Sequence, residues 1–296
     1  MQRRKAAVFI LLGQSNATGH GIPMTEEDRI LTPLSHVFGL SREENQSLDL
    51  PALTWSGYTS GGMNLAEEQD HTYSVANCLA ALWQKQADSG NPRGLPDLYV
   101  LQIAIGAEGV TEGYMWHPAR PPRLIPGALG TVDISLFPFC RRIFSLLEES
   151  FTAMDTDFEI IGLHWRGGEN DVTSPKEALT EGLEGIYRIM LEEFNRLLKS
   201  PPVILHRIVC PDRMNDMDPT GGYLENMAVI NGVFDRLAEA YENVSVFDHR
   251  AYPAYDPRVR GNGLFLSDAV HYTPAVNQWV AHEILRRYMA RRQVLR

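Results

Sequence analysis

The chain has 296 residues, 44% of them apolar and 22% charged, a make-up that suits a globular protein large enough to bury a substantial core. Its 27 basic and 37 acidic residues give a formal charge of −10, and the basic residues form no run that could track a phosphate backbone, which argues against nucleic acid as a partner. No apolar stretch approaches the roughly 20 residues that span a bilayer, and Cys78, Cys140 and Cys210 are spaced too widely for a disulfide framework or a zinc cluster.

The first element follows the opening MQRRK. The apolar run Ala6 to Leu12 has the look of a leader, but it lacks a small-residue cleavage site and is barely long enough, so it reads as a buried strand over Ala7 to Leu12. A cytoplasmic location is the expectation for the chain as it stands, and a secreted one only if a leader has been removed. A polar, small-residue segment from Leu40 to His71 reads as a rim loop. Val75, Cys78, Leu79, Leu82 and Trp83 then mark a helix, a short turn covers Asp88 to Pro96, and Leu98 to Ile105 is the second strand. After a proline-rich loop from His117 to Pro126 come a strand at Phe158 to His164 and a helix at three- and four-residue spacing from Leu179 to Leu197. Strands at Val203 to Val209 and Val244 to Phe247 alternate with helices over Leu224 to Tyr241 and Pro274 to Met289. The strands are apolar almost throughout, as when both faces are buried, so the expected architecture is α/β: one domain over residues 1–296 with a mostly parallel sheet between helical layers. Ligands of such sheets bind beyond the carboxyl ends of the strands, which makes the two rim loops candidate pocket walls.

Three short motifs carry chemistry. Gly13-Gln14-Ser15-Asn16 directly follows the first strand, where a serine can act as a nucleophile and offer its own N–H to an oxyanion; the same position suits a helix cap. Near the other end, Asp268-Ala269-Val270-His271 precedes the last helix. A neutral serine needs an imidazole base and that imidazole needs an acid partner, and three residues of separation let Asp268 reach His271. Asp268 as a surface cap and His271 as a structural histidine are the plainer readings. Gly168-Glu169-Asn170-Asp171 follows the third strand, where the Asn170 amide suits an oxyanion donor and where a polar helix-capping turn is equally at home. The other histidines, among them His20, His117, His164, His206, His249 and His282, read as structural or rim residues.

Taken in order, GQSN, G-x-N-D and DxxH resemble the blocks of the SGNH hydrolase superfamily, and GQSNATGHG with WRGGEND is most similar to its carbohydrate acetylesterases of the sialate O-acetylesterase and acetylxylan esterase group. The resemblance implies a flavodoxin-like three-layer α/β/α sandwich, no cofactor and no metal, and a triad of Ser15, His271 and Asp268. It also implies an oxyanion hole of the Ser15 N–H, a glycine N–H after the second strand and Asn170. Ile105-Gly106-Ala107-Glu108-Gly109 stands where the group usually has paired glycines, leaving Gly106, nearest the strand, or Gly109 for that donor. The group's Gln-Gly-Glu is here Gly167-Gly168-Glu169, so the glutamine is lost while Glu169 remains a possible helper acid, ranked behind Asp268.

The implied reaction is acyl transfer to Ser15 and then to water, failing below roughly pH 6 to 7 as the base protonates. The implied partner is an acetylated carbohydrate; neither a membrane nor nucleic acid is expected, and the oligomeric state is open. Trp55, Tyr58, Trp116 and Trp165 are aromatic candidates for stacking on a sugar or for ordinary packing. Arg166 and Arg207 are candidates for a substrate carboxylate or a salt bridge. Two alternatives share the fold: a lipid-ester or thioester hydrolase, and a carbohydrate-binding relative without catalysis.

Overall fold

The apolar run near the start forms the middle of β1 (Arg4–Gly13), in which every residue from Ala6 to Leu12 is buried. Such a strand is stable only with neighbours on both edges and cover on both faces. The computed structural model supplies them, and it describes residues 3–67, 72–90, 94–126 and 132–294. The end of the Leu40 to His71 segment (68–71), the middle of the Asp88 to Pro96 turn (91–93) and the first two residues of MQRRK lie outside the described residues.

After β1 come a single-turn helix, α1 (Ser15–Thr18), and the edge elements β2 (Val37–Leu40), α2 (Arg42–Asn45) and β3 (Trp55–Gly57). Helix α3 (Val75–Asp88) leads to β4 (Asp97–Ala104), and a small hairpin of β5 (Leu124–Pro126) and β6 (Val132–Ile134) precedes α4 (Leu136–Ala153). Then follow β7 (Thr156–Arg166), α5 (Leu183–Leu198), β8 (Val203–His206), α6 (Pro211–Met217), α7 (Gly222–Ala240), β9 (Val244–Phe247) and α8 (Pro274–Val294). The main sheet runs β3-β2-β4-β1-β7-β8-β9, parallel except for the edge pair β2 and β3. Helices α3 and α8 pack together as one layer, and α4, α5 and α7 form the other. This is the α/β sandwich expected from the sequence.

The departures have physical causes. β3 is three residues long and carries no periodicity, so it falls inside the segment read as loop. Helix α4 is absent from the sequence expectations because Pro138 interrupts its start, yet a proline in a first helical turn forfeits no hydrogen bond, and the helix behind it buries Phe139, Ile143, Leu147 and Phe151. β8 stops at His206, three residues before the expected end, and Pro211 opens α6.

This topology fixes where chemistry can happen. The chain leaves central β1 to build one side of the sheet, then returns to β7 on the other, so the carboxyl ends of β4, β1 and β7 flank a switch point. The three segments that follow those ends are residues 105–109, Ser15 with its neighbours, and residues 167–171.

Candidate active site

Gly13 is the hinge. Its φ is +139°, and a Cβ built there would sit 2.0 Å from the Arg166 carbonyl oxygen, so only glycine lets β1 turn this close to β7. The Gln14 N–H donates to that same carbonyl at 3.0 Å, and Trp116 Nε1 donates to the Gly13 carbonyl at 3.1 Å. Gln14, not Ser15, is the residue that precedes α1, and Ser15 is its first helical residue. The Ser15 hydroxyl makes no hydrogen bond among the described residues, so it is not a cap. Its N–H belongs to a first helical turn and has no acceptor within the helix.

Ser15, Gly106, Asn170 and His271 line one cavity of about 530 Å³, together with Glu67 and Glu169. His271 Nδ1 lies 2.6 Å from Asp268 Oδ2, while Asp268 Oδ1 accepts the His271 and Val270 N–H groups at 3.0 Å each. Partial burial works against the Asp268 charge, but the His271 and Val270 amides and the imidazole outweigh it and hold the carboxyl below its usual range. A carboxylate on Nδ1 leaves Nε2 as the basic nitrogen. No hydrogen bond joins His271 to Ser15; the two share the cavity, and such bonds commonly tighten only around substrate.

The orientation of Asn170 follows from a chain of donors. Gln14 Oε1 accepts two backbone N–H groups, those of Gly168 and Asn170, at 3.3 Å each, so the Gln14 Nε2 must be the donor that meets Asn170 Oδ1 at 3.3 Å. With its oxygen taken, Asn170 has Nδ2 left to donate. Its backbone begins the turn 171–173 without a side-chain cap bond, which sets aside the capping role.

The two glycines after β4 differ in their surroundings. Gly106 lines the cavity, whereas a Cβ at Gly109 would lie 2.4 Å from Asp171 Oδ1, so Gly109 makes room for that carboxylate instead. Asp171 accepts the Val110 and Thr111 N–H groups at 2.9 Å and ties this loop to the end of β7; burial pushes its carboxyl up to about 6 against those amides. Ala107, in place of the second glycine, has a φ of +60°. The Gly106 N–H is engaged: it donates to Glu67 Oε2 at 2.7 Å.

Glu169 does not reach His271. Its Oε1 accepts from Asn16 Nδ2 at 2.8 Å, and Asn16 also donates to the Val270 carbonyl at 3.0 Å and accepts the Tyr272 N–H at 3.3 Å. Asn16 thereby braces the His271 loop against the Ser15 turn. The next residue, Tyr272, anchors that loop from below: its hydroxyl is 3.0 Å from His249 Nδ1, His249 Nε2 is 3.3 Å from His206 Nδ1, and His206 Nε2 is 2.8 Å from His164 Nδ1. Burial lowers all three imidazoles, His164 to about 3, so they are neutral and structural, as expected.

The arginine and aromatic candidates are engaged in internal contacts, the plainer of the roles open to them. Arg166 is buried, donating to Asn277 at 2.9 Å with its guanidinium 4.6 Å from the Tyr272 ring centre, and Arg207 pairs with Asp235. Neither lines the cavity, and Arg213 on α6 does, with Met214 and Met217. Trp116, Trp165 and Tyr58 are buried in the core and Trp55 packs edge-on to Tyr99, and none of the four lines the cavity that holds Ser15. The proline-rich segment is not a wall either, and among the described residues of the Leu40 to His71 segment only Glu67 contributes. Sequence reasoning missed Glu67, Arg213 and the bracing roles of Gln14 and Asn16. Among the described residues no group of acidic, cysteine or histidine side chains is arranged to hold a metal, and no helix is long and apolar enough to cross a membrane.

No family model and no curated protein sequence matches the chain. Solved structures do: NanS aligns over 98% of this chain and 99% of its own at a TM-score of 0.61 and 16% identity. The chain has the fold of NanS. A protein of Arabidopsis thaliana aligns over the same shares at a TM-score of 0.55 and 17% identity, and an acetylxylan esterase of Geobacillus stearothermophilus over 97% and 95% at 0.46 and 15%. The likeness to NanS runs nearly end to end in both chains, so it takes in the whole sheet, and the fold expected from the SGNH resemblance is present.

Proposed function

We propose that the chain is a serine esterase that removes small acyl groups, acetyl above all, from carbohydrate hydroxyls through an acyl-serine intermediate. The observation that carries this reading is the 2.6 Å pair of His271 and Asp268, with His271 lining the same cavity as Ser15, whose hydroxyl makes no hydrogen bond among the described residues. In the reaction Ser15 Oγ attacks the ester carbonyl as His271 Nε2 takes its proton, and Asp268 stabilises the imidazolium. The Ser15 N–H and Asn170 Nδ2 are the donors for the tetrahedral oxyanion, joined by the Gly106 N–H once Glu67 releases it. Collapse expels the sugar alcohol with the proton from His271; water then repeats the sequence and frees the acid.

The preference for carbohydrate rests on the resemblance of the GQSNATGHG and WRGGEND segments and is supported by the polar side chains of Gln14, Glu67, Glu169 and Arg213, which line the cavity alongside apolar Met214, Met217 and Val270. The test is acetate release from 4-nitrophenyl acetate, acetylated xylan and O-acetylated sialic acid by the wild type and by Ser15→Ala. The expected result is turnover that falls by at least about 10⁴-fold in the variant. Hydrolysis that survives Ser15→Ala contradicts the mechanism, and preference for long-chain lipid esters contradicts the substrate class.

A further inference from the structure

The Glu67 carboxylate occupies the acceptor position at the Gly106 N–H, at 2.7 Å, where the oxygen of an attacked ester would have to lie. Its placement is built into the fold. Asn64 is fully buried; its Oδ1 accepts the Ala104 N–H at 2.9 Å, and its Nδ2 donates to the Ala104 carbonyl at 2.7 Å and the Glu67 carbonyl at 3.0 Å. This clamp holds the backbone of Glu67 against the end of β4, the strand that Gly106 follows. The side chain itself is held by little: among the described residues the Gly106 N–H is its only partner and no cation pairs with it. A half-buried carboxylate with a single hydrogen bond can leave by rotating its side chain while its backbone stays fixed.

We infer that Glu67 is a specificity-determining residue, an internal anion that fills the oxyanion position and is withdrawn by substrates bringing their own hydrogen-bond donors. This rests on the esterase reading above. A neutral ester carbonyl is a weaker acceptor than a carboxylate, so an ester without other polar groups competes poorly for the Gly106 N–H. A sugar ester has hydroxyls beside the acyl group, and these can bond the displaced carboxylate and offset the bond it loses. The substrate class selected is thus an ester with free neighbouring hydroxyls, and aryl or alkyl acetates and fully acetylated sugars are disfavoured. No bond is made or broken in this step; one hydrogen bond is exchanged for others.

The experiment compares wild type, Glu67→Ala and Glu67→Gln on two esters, 4-nitrophenyl acetate and a mono-O-acetylated sugar with free neighbouring hydroxyls, with thermal melting to verify folding. Because the clamp uses the Glu67 backbone, both variants are expected to fold. Glu67→Ala should raise kcat/KM on 4-nitrophenyl acetate by on the order of 10- to 100-fold, the weight of a hydrogen bond to a charged group. It should change kcat/KM on the sugar ester by less than about 3-fold, and Glu67→Gln should fall between, as removal of the charge weakens the bond. An equal rise on both esters, no change on 4-nitrophenyl acetate, or a fall on both overturns the inference while leaving the esterase reading intact. Absence of turnover on both esters in all three proteins refutes the esterase reading, and the inference with it.

Discussion

Asn170 shows how much of this site depends on one hydrogen bond's direction. Gln14 is oriented by two backbone N–H groups, and it in turn leaves Asn170 with only an N–H to present to the cavity. If that donor meets the developing oxyanion, Asn170→Ala should lower kcat by about 100- to 1000-fold with KM little changed, measured on 4-nitrophenyl acetate. Asn170→Asp should be no better, since it places an acceptor there. The identities of Ser15, Asp268, His271 and Asn170 were legible in the sequence because each lies beside a strand end or helix start in a short local motif. Glu67 and Arg213 were not. Glu67 reaches Gly106 through the Asn64 clamp on a strand 40 residues away, and Arg213 reaches the cavity because its helix is pinned by Asp212 to the Gly261 N–H and by Asp216 to Arg260. Neither arrangement leaves a local pattern.

At the scale of elements, the site is made by the ends of three adjacent parallel strands, and the tightest of them is the β1 to β7 crossing at Gly13. Gly13→Ala would combine a left-handed φ with a backbone clash against Arg166, and a loss of roughly 3–5 kcal/mol is expected, read from the denaturant midpoint. Gly113→Ala is the control: its φ is +96° but nothing lies within 4 Å, so the cost should be only about 1–2 kcal/mol. An equal loss at both sites would show that strain, not the strand crossing, governs Gly13. The strands themselves could be read from the chain because burial on both faces makes them continuously apolar. β2 and β3 could not, since an edge position and three or four residues leave too few side chains to set a pattern, and α4 was obscured by Pro138 in its first turn.

Across the whole molecule, the line of His164, His206 and His249 ties β7, β8 and the segment after β9 to Tyr272, next to the proposed base. Burial keeps these imidazoles neutral in the folded state, whereas in the unfolded chain they protonate near the ordinary value of about 6.5. Their contribution to stability is therefore complete above about pH 6.5 and is lost progressively as pH falls below it, for His164 down to about 3. Asp171 acts in the opposite sense: with its carboxyl raised to about 6, it favours the folded state more at pH 4 than at pH 7, but one acid opposes three imidazoles. Thermal melting should show Tm falling between pH 6.5 and 4.5, less steeply in His206→Gln, and an unchanged slope would contradict the coupling. The acyl-serine is the species on which the proposed mechanism depends. Rapid acid quench of the enzyme reacting with 4-nitrophenyl acetate, followed by peptide mapping by mass spectrometry, should find an acetyl group on the peptide that contains Ser15 and none in Ser15→Ala; an acetyl group confined to another residue, or turnover with no acylated protein at any time, would contradict it.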